Sequence, residues 1–407
     1  MGSTSEGSPW VLYLVYWGAV EPLGQALVLP SVRRLAQLGA NVTLVTFDKA
    51  EDLRRREQVG VIRRDLDARG IRWISLRYHR RPQIPAKLYD ACAGWVTAIV
   101  GQLRGRTAIV HARTFVGGLM GLPLARLLGA RFVYHNEGFY PDEQVDGGIW
   151  VAGSVRHRIA RRLEMELYAH ADGIIALSER ARAAIETLPP VRRRRTPVMV
   201  VPSAVDLDRF RRSEARGSVQ RDGLRLIYTG SVGARYRLDS AARFAAVAAE
   251  KLGRVTLRVV THADRRLVEE TLGASGLARD AWSVDSVPHA AVPAELGQHD
   301  AGLFFLTQGL SEQGCSPTKI GEYWACGLPV VTTPNVSDTD EIVRRERVGV
   351  VVKEHSETGY SEAVRTLAKL LEDPELKVRC RRAAETHYAL GPACERQMAL
   401  YREVLAE

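Results

Sequence analysis

The stretch Ser316-Pro-Thr-Lys-Ile-Gly-Glu-Tyr-Trp-Ala-Cys-Gly-Leu-Pro-Val-Val331 decides how this chain is read. Ser316 followed by Pro317 is a helix start. A hydroxyl side chain suits the N-cap, and proline suits the first helical position, where its missing N–H would be unpaired anyway. Ser316, Thr318 and Lys319 then gather at the first turn. Unpaired N–H groups and the positive end of the helix dipole make such a turn a seat for phosphate. Glu322 lies four residues after Thr318 and three after Lys319, so it shares nearly the same face. An acceptor there suits a pair of ribose hydroxyls. Cys326-Gly327 ends the helix and Pro329 opens a strand. On spacing alone, a capped helix with a surface Glu–Lys pair reads equally well.

Outward from this stretch, short β-branched runs alternate with longer helical periods. Val11–Tyr16, Val42–Phe47, Ile71–Leu76, Ala108–His111, Phe132–His135 and Gly173–Leu177 read as buried strands. Between them, Pro85 to Leu103 sets Leu88, Cys92, Trp95, Ile99 and Leu103 on one helix face. The pattern breaks from Pro189 to Gly223, where Pro189-Pro190, the basic run Arg192–Arg195, a strand Val198–Val201 and the polar stretch Ser213–Asp222 read as a boundary with a linker. A second set follows at Leu224–Thr229, Val255–Val260, Trp282–Val287, Ala301–Leu306, Pro329–Thr332 and Val348–Val352. Alternation of this kind predicts an α/β protein with parallel sheets covered on both faces. The expected architecture is two Rossmann-like domains facing a cleft, over residues 1–203 and 204–387, with the C-terminal helix, residues 388–407, packing back on the first. That helix sets Cys394, Met398, Tyr401 and Leu405 on one face.

At 407 residues the chain is long enough for two or three domains. Hydrophobic residues at 46% and charged residues at 26% exclude a disordered or fibrous chain. Five scattered cysteines show no zinc-ligand spacing and fit a reducing, cytoplasmic setting. No apolar run approaches the ~20 residues that span a bilayer, and the polar leader Gly2–Ser8 does not read as a secretory signal. The net charge of +10 admits nucleic acid, anionic membrane or anionic small molecules as partners. A nucleic-acid platform is not expected, because basic residues and aromatics do not interleave. In Ser154–His170, Val155, Ile159, Leu163 and Leu167 form a stripe beside Arg156, Arg158, Arg161 and Arg162. A packed stripe under a solvated basic face is the favoured reading, and a seat on anionic lipid the other. Gly117-Gly118-Leu-Met-Gly121 has the wrong spacing for a dinucleotide fingerprint and falls in a helical pattern. Asp338-Thr339-Asp340 precedes a helix, so N-capping explains it and no metal is expected.

The piece Lys319-x-x-Glu322-Tyr-x-Ala-Cys-Gly327-x-Pro-Val-Val331 resembles the C-terminal motif of glycosyltransferase family 4, the retaining group with the GT-B fold. Glu164 with Ala171-Asp172-Gly-Ile-Ile-Ala-Leu-Ser178-Glu179 is similar to the segment closing that family's first domain. Val200-Val-Pro-Ser-Ala-Val-Asp206-Leu-Asp-Arg-Phe210 is similar to its interdomain segment, with Ser203 and Ala204 in place of Asn-Gly. Tyr228-Thr-Gly-Ser-Val-Gly233 resembles the glycine turn opening its second domain.

The resemblance implies a nucleotide-sugar donor, most simply a UDP-sugar, and transfer to an acceptor hydroxyl without metal or cofactor. It places the ribose on Glu322 and the diphosphate near Gly230, Ser231, Gly233, Ser316, Thr318 and Lys319. Ser231 stands where the family carries an arginine, while Arg235 and Arg237 flank the position of the family's lysine after that turn; Arg235 is the candidate second cation. The family's sugar-contacting glutamate falls on Gly314. Glu312, or the amides of Gly314 and Cys315, are the candidates to replace it. In the first domain, Gly24 resembles the glycine loop near the donor phosphate, and His135 stands at a strand end where the family places a histidine near the sugar. The following loop offers Glu137, Tyr140, Asp142 and Glu143 to an acceptor. His111-Ala-Arg113-Thr114 reads more simply as a packed basic turn. The implied chemistry is a front-face displacement with retention, catalysed by His135, Lys319 and Arg235. The acceptor is a sugar, a lipid-linked glycan or a small metabolite, met in the cytoplasm or peripherally at the inner membrane face. A sugar-nucleotide epimerase of the same fold, or a non-catalytic sugar-nucleotide-binding relative, are the alternatives.

Overall fold

The computed structural model describes residues 8–79, 107–211, 223–233, 235–307, 309 and 311–406. The helix expected over residues 85–103, with Cys92, and the polar stretch 213–222 lie outside them.

Among the described residues the strands are β1 (Trp10–Val15), β2 (Asn41–Asp48), β3 (Arg72–Arg77), β4 (Ile109–Arg113), β5 (Arg131–His135), β6 (Gly173–Ala176), β7 (Val198–Val200), β8 (Leu224–Thr229), β9 (Val255–Val260), β10 (Trp282–Asp285), β11 (Ala301–Phe304), β12 (Val330–Thr332) and β13 (Gly349–Val351). They form two sheets, ordered β3-β2-β1-β4-β5-β6-β7 and β10-β9-β8-β11-β12-β13. Neighbouring strands in both sheets run parallel, as in β1 with β4 and β8 with β11. Every expected strand is present, with ends shifted by one or two residues where the chain turns into a loop.

The chain forms two compact units. One comprises described residues within Met1–Pro141, Gly153–Pro202 and Leu390–Glu407. The other comprises those within Asp142–Ala152 and Ser203–Ala389. In each, the strand order reverses direction about the opening strand, between β1 and β4 and between β8 and β11. Loops leaving the carboxyl ends of strands at such a switch are splayed apart, which opens a crevice for ligand.

The second unit shows how alternation builds two cores from one sheet. Leu226 and Tyr228 of β8 point into a cluster with the alanine-rich helix Leu238–Leu252, while Ile227 joins Ile320, Tyr323 and Trp324 on the other face. Small side chains let that helix lie close. On β11, Gly302 does the same for Tyr323, whose buried ring occupies the space that a Cβ at residue 302 would need.

Three sequence expectations change. The run Arg192–Arg195 is not linker: Pro189 starts the short helix Pro189–Arg194, and Arg195 ends it in the left-handed conformation. In the helix Val155–His170 the apolar stripe is packed only at Leu167. Val155, Ile159 and Leu163 are 63%, 55% and 38% exposed, and the buried face is Ala160, Glu164, Leu167 and Tyr168. In the helix Leu390–Ala406, Leu405 faces outward, and Gln397, Leu400 and Val404 join Cys394, Met398 and Tyr401 in the interior. The first helix is turned to bury Glu164 and Tyr168, whereas the second keeps three of its four expected residues inside and widens its buried face to include Gln397.

Gly302→Ala should lower the melting temperature by several degrees. The added methyl has to displace a fully buried ring, an overpacking cost of roughly 1–3 kcal/mol. Thermal unfolding followed by circular dichroism checks it, and an unchanged midpoint contradicts the packing described.

Candidate functional site

In the second unit β8 ends at Thr229, and Gly230 follows with φ +112°. A Cβ at residue 230 would run into Lys319 Cε and stand 2.8 Å from Nζ. The lysine side chain therefore lies across the glycine turn, with Nζ 5.3 Å from the centroid of the Tyr236 ring. Only glycine allows both the backbone angle and this approach. Tyr323 pins the turn from below. Its hydroxyl accepts from Thr229 N–H at 3.0 Å, bonds Thr229 Oγ1 at 3.0 Å and donates to the Leu303 carbonyl at 3.3 Å. Tyr228 donates to the Ser231 carbonyl at 2.6 Å, and Gly233 takes φ +86° to close the turn.

The helix carrying Lys319 runs Thr318–Ala325, one residue later than its sequence suggests. Pro317 is the N-cap, in extended conformation and without a capping side chain. Ser316 does not cap it: its Oγ accepts from Ser203 N–H at 3.1 Å, which ties the start of this segment to the chain entering the unit. Thr318 and Lys319 are half-buried in the first turn, and Glu322 is buried one turn on. Gly314 ends a short turn Ser311–Gly314 and is buried. Cys315 Sγ donates to the Glu312 carbonyl at 3.1 Å, and burial pushes its thiol up to about 12, which leaves it a packing residue.

Arg235 is neither solvated nor isolated. Its Nη1 lies 3.3 Å from Glu143 Oε1 and 3.6 Å from Glu312 Oε2. Glu312 is 1% exposed, accepts from Thr307 Oγ1 at 3.2 Å, and its Oε2 makes no hydrogen bond. Burial raises its carboxyl to about 7 against the opposing pull of Arg235. Glu143 and Asp146 share one face of the helix Tyr140–Asp146. Asp146 Oδ2 accepts from Ser311 N–H at 3.0 Å, and its carboxylate fills the space a Cβ at Gly309 would need. Sequence gave no signal for Asp146, because its partners lie 165 residues on.

In the first unit, parallel register sets Tyr13 opposite His111 and Arg113 opposite His135. Tyr13 stacks on His111 at 4.2 Å, and His111 Nε2 meets His135 Nδ1 at 3.2 Å. Arg113 Nε donates to Glu137 Oε1, and its Nη1 donates to Tyr13 Oη at 3.3 Å. The turn His111–Thr114 is thus the centre of this cluster rather than a plain packed turn. Thr114 has φ +74°, a strained angle for a β-branched residue, and caps the helix Phe115–Leu128 by accepting from Gly117 N–H at 3.2 Å. Burial and the Arg113 charge hold both histidines well below the usual imidazole range. Of the expected acceptor residues, Glu137 is paired to Arg113, Tyr140 stacks on Phe115 at 4.9 Å, Glu143 is paired to Arg235, and Asp142 is half-buried. Gly24 opens the wide helical turn Gly24–Val28, where a Cβ would strike the Gly18 carbonyl and Ala19.

Asp338 stands at the N-cap of the helix Thr339–Glu346 but makes no capping bond, and Asp340 pairs with Arg344 at 2.7 Å. Among the described residues no group of three His, Cys, Asp or Glu is placed to hold a metal. No described helix is long and apolar enough to cross a membrane.

Residues 25–204 match the model of the glycosyl transferase 4-like domain, and residues 223–370 match that of glycosyl transferases group 1. No curated protein matches the chain by sequence. Among solved structures, sucrose-phosphate synthase from Thermosynechococcus elongatus superposes with a TM-score of 0.69 at 15% identity, covering 98% of this chain and 99% of that one. HepE from Anabaena, solved with UDP and glucose, gives 0.68 at 15% identity over 98% and 99%. WaaG, a glycosyltransferase involved in lipopolysaccharide biosynthesis, gives 0.62 at 16% over 96% and 98%. At these identities the likeness speaks for the fold, which is GT-B.

The raised carboxyl of Glu312 has a stability signature. The folded state keeps the proton between the ordinary carboxyl range near 4.5 and about 7, where the unfolded chain has lost it. Stability therefore falls as pH rises through that window. Glu312→Gln should flatten this slope and make the variant relatively more stable at pH 8 than at pH 5. Parallel melting curves for variant and parent across the window would contradict the assignment.

Proposed function

We propose that this chain, which belongs to the group 1 glycosyltransferases, moves a hexosyl unit from a UDP-sugar to an acceptor hydroxyl with retention at the anomeric carbon. The observation that carries the donor half is the Gly230–Lys319 contact. A turn without a side chain, an ammonium laid over it and a helix N-terminus meet at one place, and together they suit a diphosphate. Glu322, buried one turn along the same helix, is assigned the ribose. The UDP and glucose named for HepE support the choice of base and sugar class.

In the front-face displacement, the bond from the anomeric carbon to the phosphate oxygen breaks as the acceptor oxygen enters on the same face. The acceptor proton passes to the departing diphosphate. What the protein must supply is stabilisation of charge on that leaving group, which Lys319 and the helix N-terminus provide. Arg235 is the second cation assigned, and to reach a phosphate it must exchange Glu143 for it. His135 is assigned to the transferred sugar. Glu312 stands in for the acid that Gly314 replaces, with Oε2 free of hydrogen bonds to accept from a sugar hydroxyl.

The acceptor side favours a membrane surface. Val155, Ile159 and Leu163 form an exposed stripe flanked by Arg158 and Arg162, and the neighbouring helix Pro189–Arg194 adds Arg192 and Arg193. That helix packs on the first through Arg194, which donates to the Ala169 carbonyl at 2.8 Å. Exposed apolar side chains among arginines fit the interface of an anionic bilayer, and a lipid-linked acceptor is read from this.

Three outcomes are expected. UDP or UDP-sugars should raise the melting temperature in a panel of nucleotide-sugars, since a ligand bound by the native state alone stabilises it; no shift from any nucleotide sinks the donor reading. Lys319→Ala should lower turnover by about 10²–10³-fold, the cost of losing one charge-stabilising donor, with a much smaller loss of UDP affinity; unchanged turnover contradicts its role. An epimerase would convert the donor with no acceptor present, and a non-catalytic relative would give neither transfer nor hydrolysis. The chain should sediment with vesicles containing anionic lipid, and Ile159→Glu should release it; equal sedimentation of variant and parent contradicts the membrane seat.

A further inference from the structure

The buried cluster behind His135 contains two groups of the C-terminal helix, Tyr401, which sequence reads only as a packing residue, and Gln397, which it passes over. Both are 2% exposed or less. Gln397 Nε2 donates to Tyr401 Oη at 2.5 Å and lies 3.5 Å from His111 Nδ1. Tyr401 Oη stands 2.9 Å from the same His111 Nδ1. An amide nitrogen has only protons to offer, so Tyr401 receives from Gln397 and gives its own proton to His111 Nδ1. That nitrogen must then be the bare one, and His111 carries its proton on Nε2. His111 Nε2–H donates across 3.2 Å to His135 Nδ1, which leaves His135 protonated on Nε2. In the reverse order Tyr401 Oη would accept from both His111 Nδ1–H and Gln397 Nε2, and its own proton would have no acceptor in the cluster.

The end of this relay is a donor with nothing to donate to. His135 Nε2 is buried and makes no hydrogen bond among the described residues. Glu137 Oε1, which accepts from Arg113 Nε, lies 3.4 Å away but makes no hydrogen bond with it. A buried N–H left unmatched is destabilising, so a site that keeps one is built to meet an acceptor that arrives with a ligand.

We propose that Tyr401, through His111, is a positioning residue that fixes His135 as a neutral Nε2–H donor to an oxygen of the bound nucleotide-sugar, a sugar hydroxyl or a phosphate oxygen. The second half of that statement rests on the proposed glycosyl transfer; the relay itself does not. His135 then acts as a hydrogen-bond donor and not as a base, because its only bare nitrogen is turned inward to His111. The C-terminal helix thereby takes part in the site through a proton arrangement, while its own side chains stay buried.

The full chain labelled with ¹⁵N-histidine tests this without any variant. Long-range ¹H–¹⁵N spectra should show both His111 and His135 protonated on Nε2, with assignments made from His111→Asn and His135→Asn. Tyr401→Phe keeps the ring and removes the donor, so His135 should acquire a population protonated on Nδ1. Gln397→Leu, which unlocks Tyr401, should do the same. With the nucleotide-sugar that gives the largest thermal shift, Tyr401→Phe should lower kcat about 5–10-fold with donor KM within about twofold. In His135→Ala the same Tyr401→Phe change should cost nothing further, because coupled residues are not additive. An Nδ1–H signal for His135 in the parent, or a Tyr401→Phe loss that persists in full on His135→Ala, overturns the positioning role. Full activity in His135→Ala with the expected tautomer intact instead overturns the assignment of His135 to substrate.

Discussion

The second unit depends on one contact: the Lys319 side chain laid over the side-chain-free face of Gly230. Everything around it serves to keep that contact. The strand order reverses between β8 and β11, which opens a place at their carboxyl ends. Tyr323 fills the space above Gly302 and reaches up to hold Thr229, so the turn leaves β8 at a fixed angle. The helix that contributes Tyr323 also contributes Lys319 and Glu322, so one rigid element sets the ring that shapes the turn and the charges that face it. A side chain at residue 230, or a smaller ring at 323, disturbs all three together.

The first unit is organised by register rather than by a glycine turn. Parallel pairing places Tyr13, His111, Arg113 and His135 on one sheet face, and burial makes their ionisation states interdependent. The guanidinium is compensated by Glu137, and the same guanidinium helps keep the imidazoles neutral. Neutral histidines in a row carry direction, since each must donate on one side and accept on the other. The polarity of the row is set at its far end by the Gln397 amide nitrogen, which donates to Tyr401. Each unit thus ends its sheet in a polar cluster, the one with a cation over an open turn and the other with two imidazoles in hydrogen-bond contact.

Much of this was legible in the sequence, and the division has physical reasons. The strands of both sheets could be read from β-branched runs because strands buried on both faces need apolar residues at nearly every position. The motif around Lys319 and Glu322 and the glycine turn at 230–233 could be read because their spacing is local. Helix orientation was less legible. The stripe Val155, Ile159, Leu163 looks like a core face until the buried glutamate Glu164 shows that the helix is turned the other way. Ser316 looks like a cap, yet its hydroxyl is claimed by a backbone amide 113 residues earlier. Tyr401 could be read as a packing residue but not as a hydrogen-bond partner of His111, and Asp146 and Gln397 were not singled out, because what matters about all three is a long-range partner.

The account is tested most directly by the structure of the chain with UDP bound. It predicts diphosphate oxygens within about 3 Å of Lys319 Nζ and against the Gly230 turn, with the ribose hydroxyls on the Glu322 carboxylate. A nucleotide bound with its diphosphate away from Gly230 and Lys319 would contradict it.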